Sequence, residues 1–232
     1  MKSFKSVVTY FSKGEICLWS CSIGFIIVSF CIFDRGIFLT LGASLIGVTS
    51  LIFNAKENPI GQFLMIVFSA LYGFIAFTFA YYGEMLTYLC MTMPMAVFAL
   101  ISWLKHPYNG NKSEVKVNRI KKREIIFMWI ASAVITLVFY FILNAFHTNN
   151  IIPSTISVTT SFIAVYLTFR RSSYYAIGYA ANDVVLIILW VLAMLEDISY
   201  LSVVVCFIAF LANDIYGFVS WRKMEKKQRI NL

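Results

Sequence analysis

The strongest constraint in this sequence is a recurring length. Apolar runs of about 20 residues, the length that crosses a bilayer core as a helix, follow one another from end to end with short polar breaks between them. They occupy residues 16–33, 37–53, 60–82, 85–104, 125–146, 152–169, 174–195 and 198–221. A single run of this kind reads equally well as the core helix of a large soluble domain. About eight in series leave too little polar material to coat a soluble surface, and only 13% of the residues are charged, against about a quarter in soluble domains. The chain reads as an all-α integral membrane protein with about eight transmembrane helices.

Charge placement tests the count. Cytoplasmic loops of membrane proteins collect Lys and Arg, while acids carry little weight. With the N-terminus inside, the expected topology puts every lysine and arginine except Arg35 on the cytoplasmic side, and leaves Glu84, His147 and the Glu196-Asp197 pair in outer loops. A miscounted span scrambles that alternation. Both termini are therefore expected in the cytoplasm, and the bacterial cytoplasmic membrane is the expected location. Lys2, Lys5 and Lys13 ahead of the first run look like the start of a signal peptide, but the run exceeds a signal core and no small-x-small site closes it, so it reads as a retained helix.

The net charge of +8 is a topology signal and not a nucleic-acid footprint, since no soluble stretch offers a basic face. Cys17, Cys21, Cys31, Cys90 and Cys206 all fall in apolar runs without CxxC or histidine spacing, which points to packing and to neither a metal nor a cofactor. The partners implied are the lipid bilayer and a small molecule, and a homo-oligomer is compatible with the sequence.

The hydrophilic segment from His106 to Glu124 divides the chain into sides that look alike. Ser44-Leu-Ile-Gly-Val ahead of Lys56 matches Ser161-Phe-Ile-Ala-Val ahead of Arg170, and Ile60-Gly61 matches Ile177-Gly178. Ile101-Ser102-Trp103-Leu-Lys105 matches Val219-Ser220-Trp221-Arg-Lys223. Each side reads as three helices, with the 125–146 helix linking them. Counting spans makes the two triplets parallel, related by an axis along the membrane normal. The expected organisation is an N-terminus with an extra first helix (1–36), repeat 1 (37–104), a basic linker plus linking helix (105–151), repeat 2 (152–221) and a basic tail (222–232).

Polar side chains at membrane depth are costly and mark functional sites by default. Asn182-Asp183 falls in the middle of the seventh run and Asn213-Asp214 in the eighth. Tyr179, Asp183 (or Asn182), Leu186 and Trp190 follow i, i+4, i+7, i+11 spacing, which lines a carboxylate and two aromatics along one helix face. Aromatic faces stack on a flat or cationic ring, and the polar groups bond sugar hydroxyls. Gln62, Tyr72 and Tyr88 extend the set of candidate binding residues, and Thr92 stands near Pro94, which frees a backbone carbonyl. Against this stands the plainer reading of Asn and Ser as glue between helices. Trp103 and Trp221, beside basic exits, and Tyr81 and Tyr82 read as interfacial anchors.

Taken together, the run from Gly47 through Lys56 to Gly61, the Tyr82-Gly83 turn, Gly178-Tyr179-Ala-Ala-Asn182-Asp183 with Trp190, and Asn213-Asp214-x-Tyr216-Gly217-x-x-x-Trp221 resemble the PnuC family of nicotinamide riboside transporters, bacterial relatives of the SWEET sugar transporters. The resemblance spans Ile37 to Lys223. It implies two parallel three-helix repeats joined by a linking helix, and facilitated uptake of a nucleoside-like vitamin precursor, nicotinamide riboside first, trapped by phosphorylation in the cytosol. It implies a pocket that includes Tyr179, Asp183 and Trp190. One departure is plain: a Trp-x-x-Trp precedes the Asn or Asp in the family's nicotinamide riboside carriers, and here Ala176 and Tyr179 stand there. Deoxynucleosides and thiamine are the alternative cargoes.

Two other classes compete. An intramembrane enzyme would use Asp183 and Asp214 as acid and base, but no His-rich box, Ser-His pair or metal-ligand spacing lies at membrane depth. A scaffold subunit would use the basic tail for docking, although lipid charge explains that tail equally well. Proton coupling through Asp183 is a subsidiary transport reading.

Overall fold

A computed structural model describes residues 10–33, 38–78, 82–148 and 150–230. Lys2, Lys5, Arg35, Ile37 and Tyr81, used above, lie outside the described residues. Within them, eight helices are long and apolar enough to cross a membrane. They are α1 (Lys13–Phe33), α2 (Phe38–Ala55), α3 (Pro59–Thr78), α4 (Tyr82–Lys105), α5 (Lys122–Ala145), α6 (Ile151–Phe169), α7 (Tyr175–Met194) and α8 (Leu201–Ile230), the last entered through a 3-10 turn at Ile198–Tyr200.

The contacts close six of these helices into a ring in the order α2, α3, α4, α6, α7, α8 and back to α2. The other two sit outside. α5 packs on α6 and buries only Met128, Ser132 and Leu143 along its length. α1 packs on α8 and α2. The remaining faces of α5 present Phe127, Trp129, Ile130, Val134, Leu137 and Phe141 to the surroundings, which is unfavourable in water and natural against lipid tails. Four of the cysteines, Cys17, Cys21, Cys31 and Cys90, share that outer surface, and only Cys206 is buried as the packing reading expects.

α4 is not uniform. Thr87–Thr92 winds as a π-helical turn, with the Met93 N–H donating to the Tyr88 carbonyl. Pro94 has no N–H for the ordinary i−4 bond, and the extra residue in the turn accommodates that loss.

The Lys105 end of the bundle departs from a plain basic linker and tail. Residues Pro107–Tyr108 and Asn111–Val115 pair as an antiparallel hairpin, β1 and β2, around Asn109-Gly110, both with positive φ. α8 runs on through Ile230 as continuous helix, so residues 222–230 are not a separate tail. They hold this end together. The Glu225 carboxylate accepts from Arg119 (3.2 Å), Arg222 (2.6 Å), Arg229 (2.8 Å) and the Ser173 hydroxyl (2.7 Å). Gln228 donates to the Val115 carbonyl (3.1 Å) and to Glu57 (3.2 Å), and accepts from the Val117 N–H (2.9 Å).

Trp103 and Trp221 are not interfacial anchors. Both are buried, and both N–H groups are spent inside the bundle, on the Thr168 and Asn54 carbonyls. An anchor turns its ring toward the headgroups. These turn inward and give the carbonyls at two helix ends a second donor.

Candidate functional site

The interior of the six-helix ring is aromatic at its upper end, taken as the end opposite the hairpin. Phe68 and Tyr72 stand one turn apart on α3, Tyr88 sits on the π-helical turn of α4, Trp190 on α7, and Phe207 and Phe210 on α8, all buried in one cluster. The Tyr72 and Tyr88 rings are 4.5 Å apart, Phe68 lies 5.8 Å from Tyr88 and 5.6 Å from Phe210, and Phe207 lies 6.1 Å from Tyr72. The Tyr72 hydroxyl lies against the Trp190 indole. Rings at such separations are in direct contact, so a ring-bearing ligand enters by parting them. Gly47 of α2 makes the packing possible: a Cβ there would collide with the Phe210 ring and come within 3.0 Å of Phe68.

Below this cage, Asp183 of α7 and Asp214 of α8 are buried and face each other at hydrogen-bonding range. Asp183 is also within electrostatic reach of Tyr88 above and Tyr179 below. Asp214 has no tie to Arg222, which is committed to Glu225 and lies over the Tyr174 ring. Tyr179 continues the column toward the hairpin end, where it meets Tyr175 edge-on at 6.2 Å. The stripe of Tyr179, Asp183, Leu186 and Trp190 thus becomes the inner wall of α7, from one aromatic cluster to the other.

The remaining sequence candidates lie elsewhere. Asn182, next to Asp183, points about 100° away around the helix and accepts from Ser157 (3.4 Å), Thr160 (2.8 Å) and Ser161 (3.0 Å) of α6. Asn213 turns to α1, donating to the Ser22 hydroxyl at 2.9 Å. Gln62 donates to Asn54 at 2.8 Å and sits about 15 Å along α3 from Tyr72, by the rise of a helix. Those three join helices.

Sequence reasoning missed Glu84. It was expected in an outer loop, yet it lies in the first turn of α4, is 5% exposed, and has an Oε2 without a hydrogen-bond partner among the described residues. It lines a narrow pocket with Gly83, Asn150, Ser154 and Trp190 at the upper end of the ring, and it is within electrostatic reach of the Tyr72 and Tyr88 hydroxyls. The available signal was its place one residue after the Tyr82-Gly83 turn, at the start of a span and not outside it. Phe68, Phe207 and Phe210 were also missed, since one phenylalanine among 22 carries no mark of its role. Among the described residues no group of His, Cys, Asp and Glu is arranged to hold a metal.

Comparison with known proteins agrees with this architecture. A curated relative, the nicotinamide riboside transporter PnuC of Neisseria mucosa, is 25% identical over 203 residues, covering 84% of this chain and 76% of that protein. The crystal structure of the vitamin B3 transporter PnuC superposes with a TM-score of 0.81 at 23% identity, covering 94% of each chain, so the two share a fold. Residues 37–223, from the start of α2 almost to the end of α8 and so the whole six-helix ring with α5, match the nicotinamide mononucleotide transporter family, and the chain belongs to that family of membrane transporters.

Proposed function

We propose that this protein mediates facilitated uptake of nicotinamide riboside, and that the cage of Phe68, Tyr72, Tyr88 and Trp190 receives the nicotinamide ring. The observation that carries the reading is the cage itself, at the centre of a helix ring in a chain of this family. The ligand is a flat, positively charged ring joined to a sugar. Aromatic faces attract such a ring by about 0.5–2 kcal/mol each, and the sugar hydroxyls find acceptors in Asp183 and Asp214 and a donor and acceptor in Tyr179. Gln62, Asn182 and Asn213 serve as helix joints, not as ligand contacts. Membership of a transporter family speaks against the intramembrane enzyme.

Two parts of the sequence reading belong to the same proposal. The first is orientation: the hairpin end, which holds Lys56, Lys105, Arg119, Arg170, Arg171 and Arg222, faces the cytoplasm. The second is the parallel repeat, supported by reciprocal contacts of Trp103 and Trp221. Trp103, at the end of α4, binds the last turn of α6, and Trp221, near the end of α8, binds the last turn of α2.

The test is titration calorimetry of purified protein with nicotinamide riboside, thiamine and deoxyadenosine, followed by uptake into proteoliposomes without an ion gradient. Nicotinamide riboside binding that Trp190→Ala weakens, with uptake down its own gradient, supports the proposal. Binding of thiamine or deoxyadenosine in its place reassigns the cargo, and no binding by folded protein sinks the nucleoside reading.

A further inference from the structure

The buried acids of this protein differ in what offsets them. Glu225 has three arginines, Glu15 has Lys56 at 3.5 Å and the Tyr216 hydroxyl at 2.7 Å, Glu57 accepts from Gln228, and Asp183 and Asp214 can share one proton between their two carboxyls. Glu84 has none of these. Among the described residues no lysine, arginine or histidine pairs with it, and its Oε2 is buried without a donor. A buried carboxylate oxygen without a donor is costly, and the position of Glu84 in the first turn of α4 offsets that only in part. Its position is specific: on the pocket wall with Trp190, and within electrostatic reach of the two tyrosines of the cage.

We propose that Glu84 is the counter-ion for a cationic heteroaromatic ring held in the cage, and that it gives the site a preference for a charged ring over a neutral one of the same shape. The inference rests on the reading of the cage as the ligand site. A cation entering there meets two attractions of the same sign, the negative faces of Tyr72, Tyr88 and Trp190 and the carboxylate of Glu84. A neutral nucleoside gains neither and leaves the carboxylate unpaired, which is discrimination through a polar group left without its partner. Nicotinamide riboside, with a pyridinium ring, and thiamine, with a thiazolium ring, fall on the favoured side. Deoxynucleosides fall on the other.

The experiment measures binding to wild type, Glu84→Gln and Glu84→Asp of nicotinamide riboside, its neutral 1,4-dihydro form, thiamine and deoxyadenosine, with each variant first checked for unchanged elution and cooperative thermal unfolding. The expected wild-type result is a cation bound at least about tenfold more tightly than its neutral counterpart, a factor worth about 1.4 kcal/mol. Glu84→Gln then removes the preference by weakening the cation alone, and Glu84→Asp, which keeps the charge, retains it. A preference that survives Glu84→Gln overturns the role of Glu84 and leaves the nicotinamide riboside reading standing. Thiamine bound in place of nicotinamide riboside, with the same dependence on Glu84, upholds the counter-ion and removes that cargo. Binding of deoxyadenosine alone, or of no ligand by folded wild type, overturns both.

Discussion

Trp103 and Trp221 pack ring against ring, with centroids 5.3 Å apart, and each donates its indole N–H to a helix-closing carbonyl: Trp103 to Thr168 at 3.0 Å and Trp221 to Asn54 at 2.7 Å. The two acceptors occupy the same place in the same turn. The Asn54 carbonyl also accepts from the N–H of Glu57, and the Thr168 carbonyl from that of Arg171, and both of those residues have a positive φ of 56°. The preceding carbonyls, of Phe53 and Leu167, accept from Asn58 and Ser172 in the pattern of a Schellman cap. Asn54 is thereby equivalent to Thr168, whereas the spacing of Ser44 and Ser161 would pair it with Arg171. The sequence likeness and the turn geometry differ in register by most of a helical turn.

This reciprocity predicts matched losses. Trp103→Phe and Trp221→Phe each remove one of two donors to a buried carbonyl, a cost of about 0.5–1.5 kcal/mol, and each lowers the thermal midpoint of the detergent-solubilised protein. The double variant loses less or more than the sum because the rings touch. A midpoint unchanged in either single variant contradicts the account of these indoles as helix-end closures.

The cage predicts a separation between ring and hydroxyl. Tyr72→Ala and Trp190→Ala each weaken nicotinamide riboside binding by about five- to thirtyfold, given aromatic contributions of about 1–2 kcal/mol at a desolvated site. Tyr72→Phe keeps the face and loses only the hydroxyl against Trp190, so its affinity stays within about threefold of wild type by the same scale. Calorimetry on the three variants decides it, and equal losses in Tyr72→Phe and Tyr72→Ala would assign recognition to the hydroxyl.

Asn182 and Asp183 are neighbours in sequence with opposite expected behaviour. Asn182→Ala strips three hydroxyls of α6 of a shared acceptor, and at about 0.6 kcal/mol for each bond between helices it lowers the thermal midpoint while leaving ligand affinity in place. Asp183→Ala opens the floor of the cage and lowers affinity. Thermal unfolding and calorimetry on the pair read the two effects separately, and an Asn182→Ala protein of normal stability that fails to bind reverses the assignment.

These neighbours also show where sequence reading stops. The spans were legible because bilayer thickness dictates run length, and the inward stripe of Tyr179, Asp183 and Trp190 because helical spacing settles which residues share a face. What a helix faces is not written in its own spacing. Asn182 and Asp183 were equal candidates until α6 and α8 were placed beside α7. Trp103 and Trp221 looked like anchors because a tryptophan beside a basic cluster gives the depth in the membrane but not the direction of the ring. Glu84 was assigned to a loop because one acid near a glycine turn marks a break in hydropathy, and α4 begins before that break ends.

Glu57 carries a prediction in pH. It sits in the turn between α2 and α3 with a positive φ, fully buried, its carboxyl accepting from Gln228 and its carbonyl accepting from the Val115 N–H. Burial pushes its pKa up from 4.5 to about 9, the nearby Glu114 adds to the rise, and Lys227 and the Gln228 bond oppose it. The folded protein therefore holds this proton between about pH 4.5 and 9, while the unfolded chain releases it, so the folded state binds more protons across that window. Stability from this group is fully present below about pH 4.5 and is lost as pH rises toward about 9. Glu57→Gln fixes the neutral form and keeps the shape, which flattens that decline and raises the midpoint most at alkaline pH. Thermal unfolding from pH 5 to 9 on wild type and Glu57→Gln checks it: a variant that declines in parallel with wild type removes Glu57 as the source.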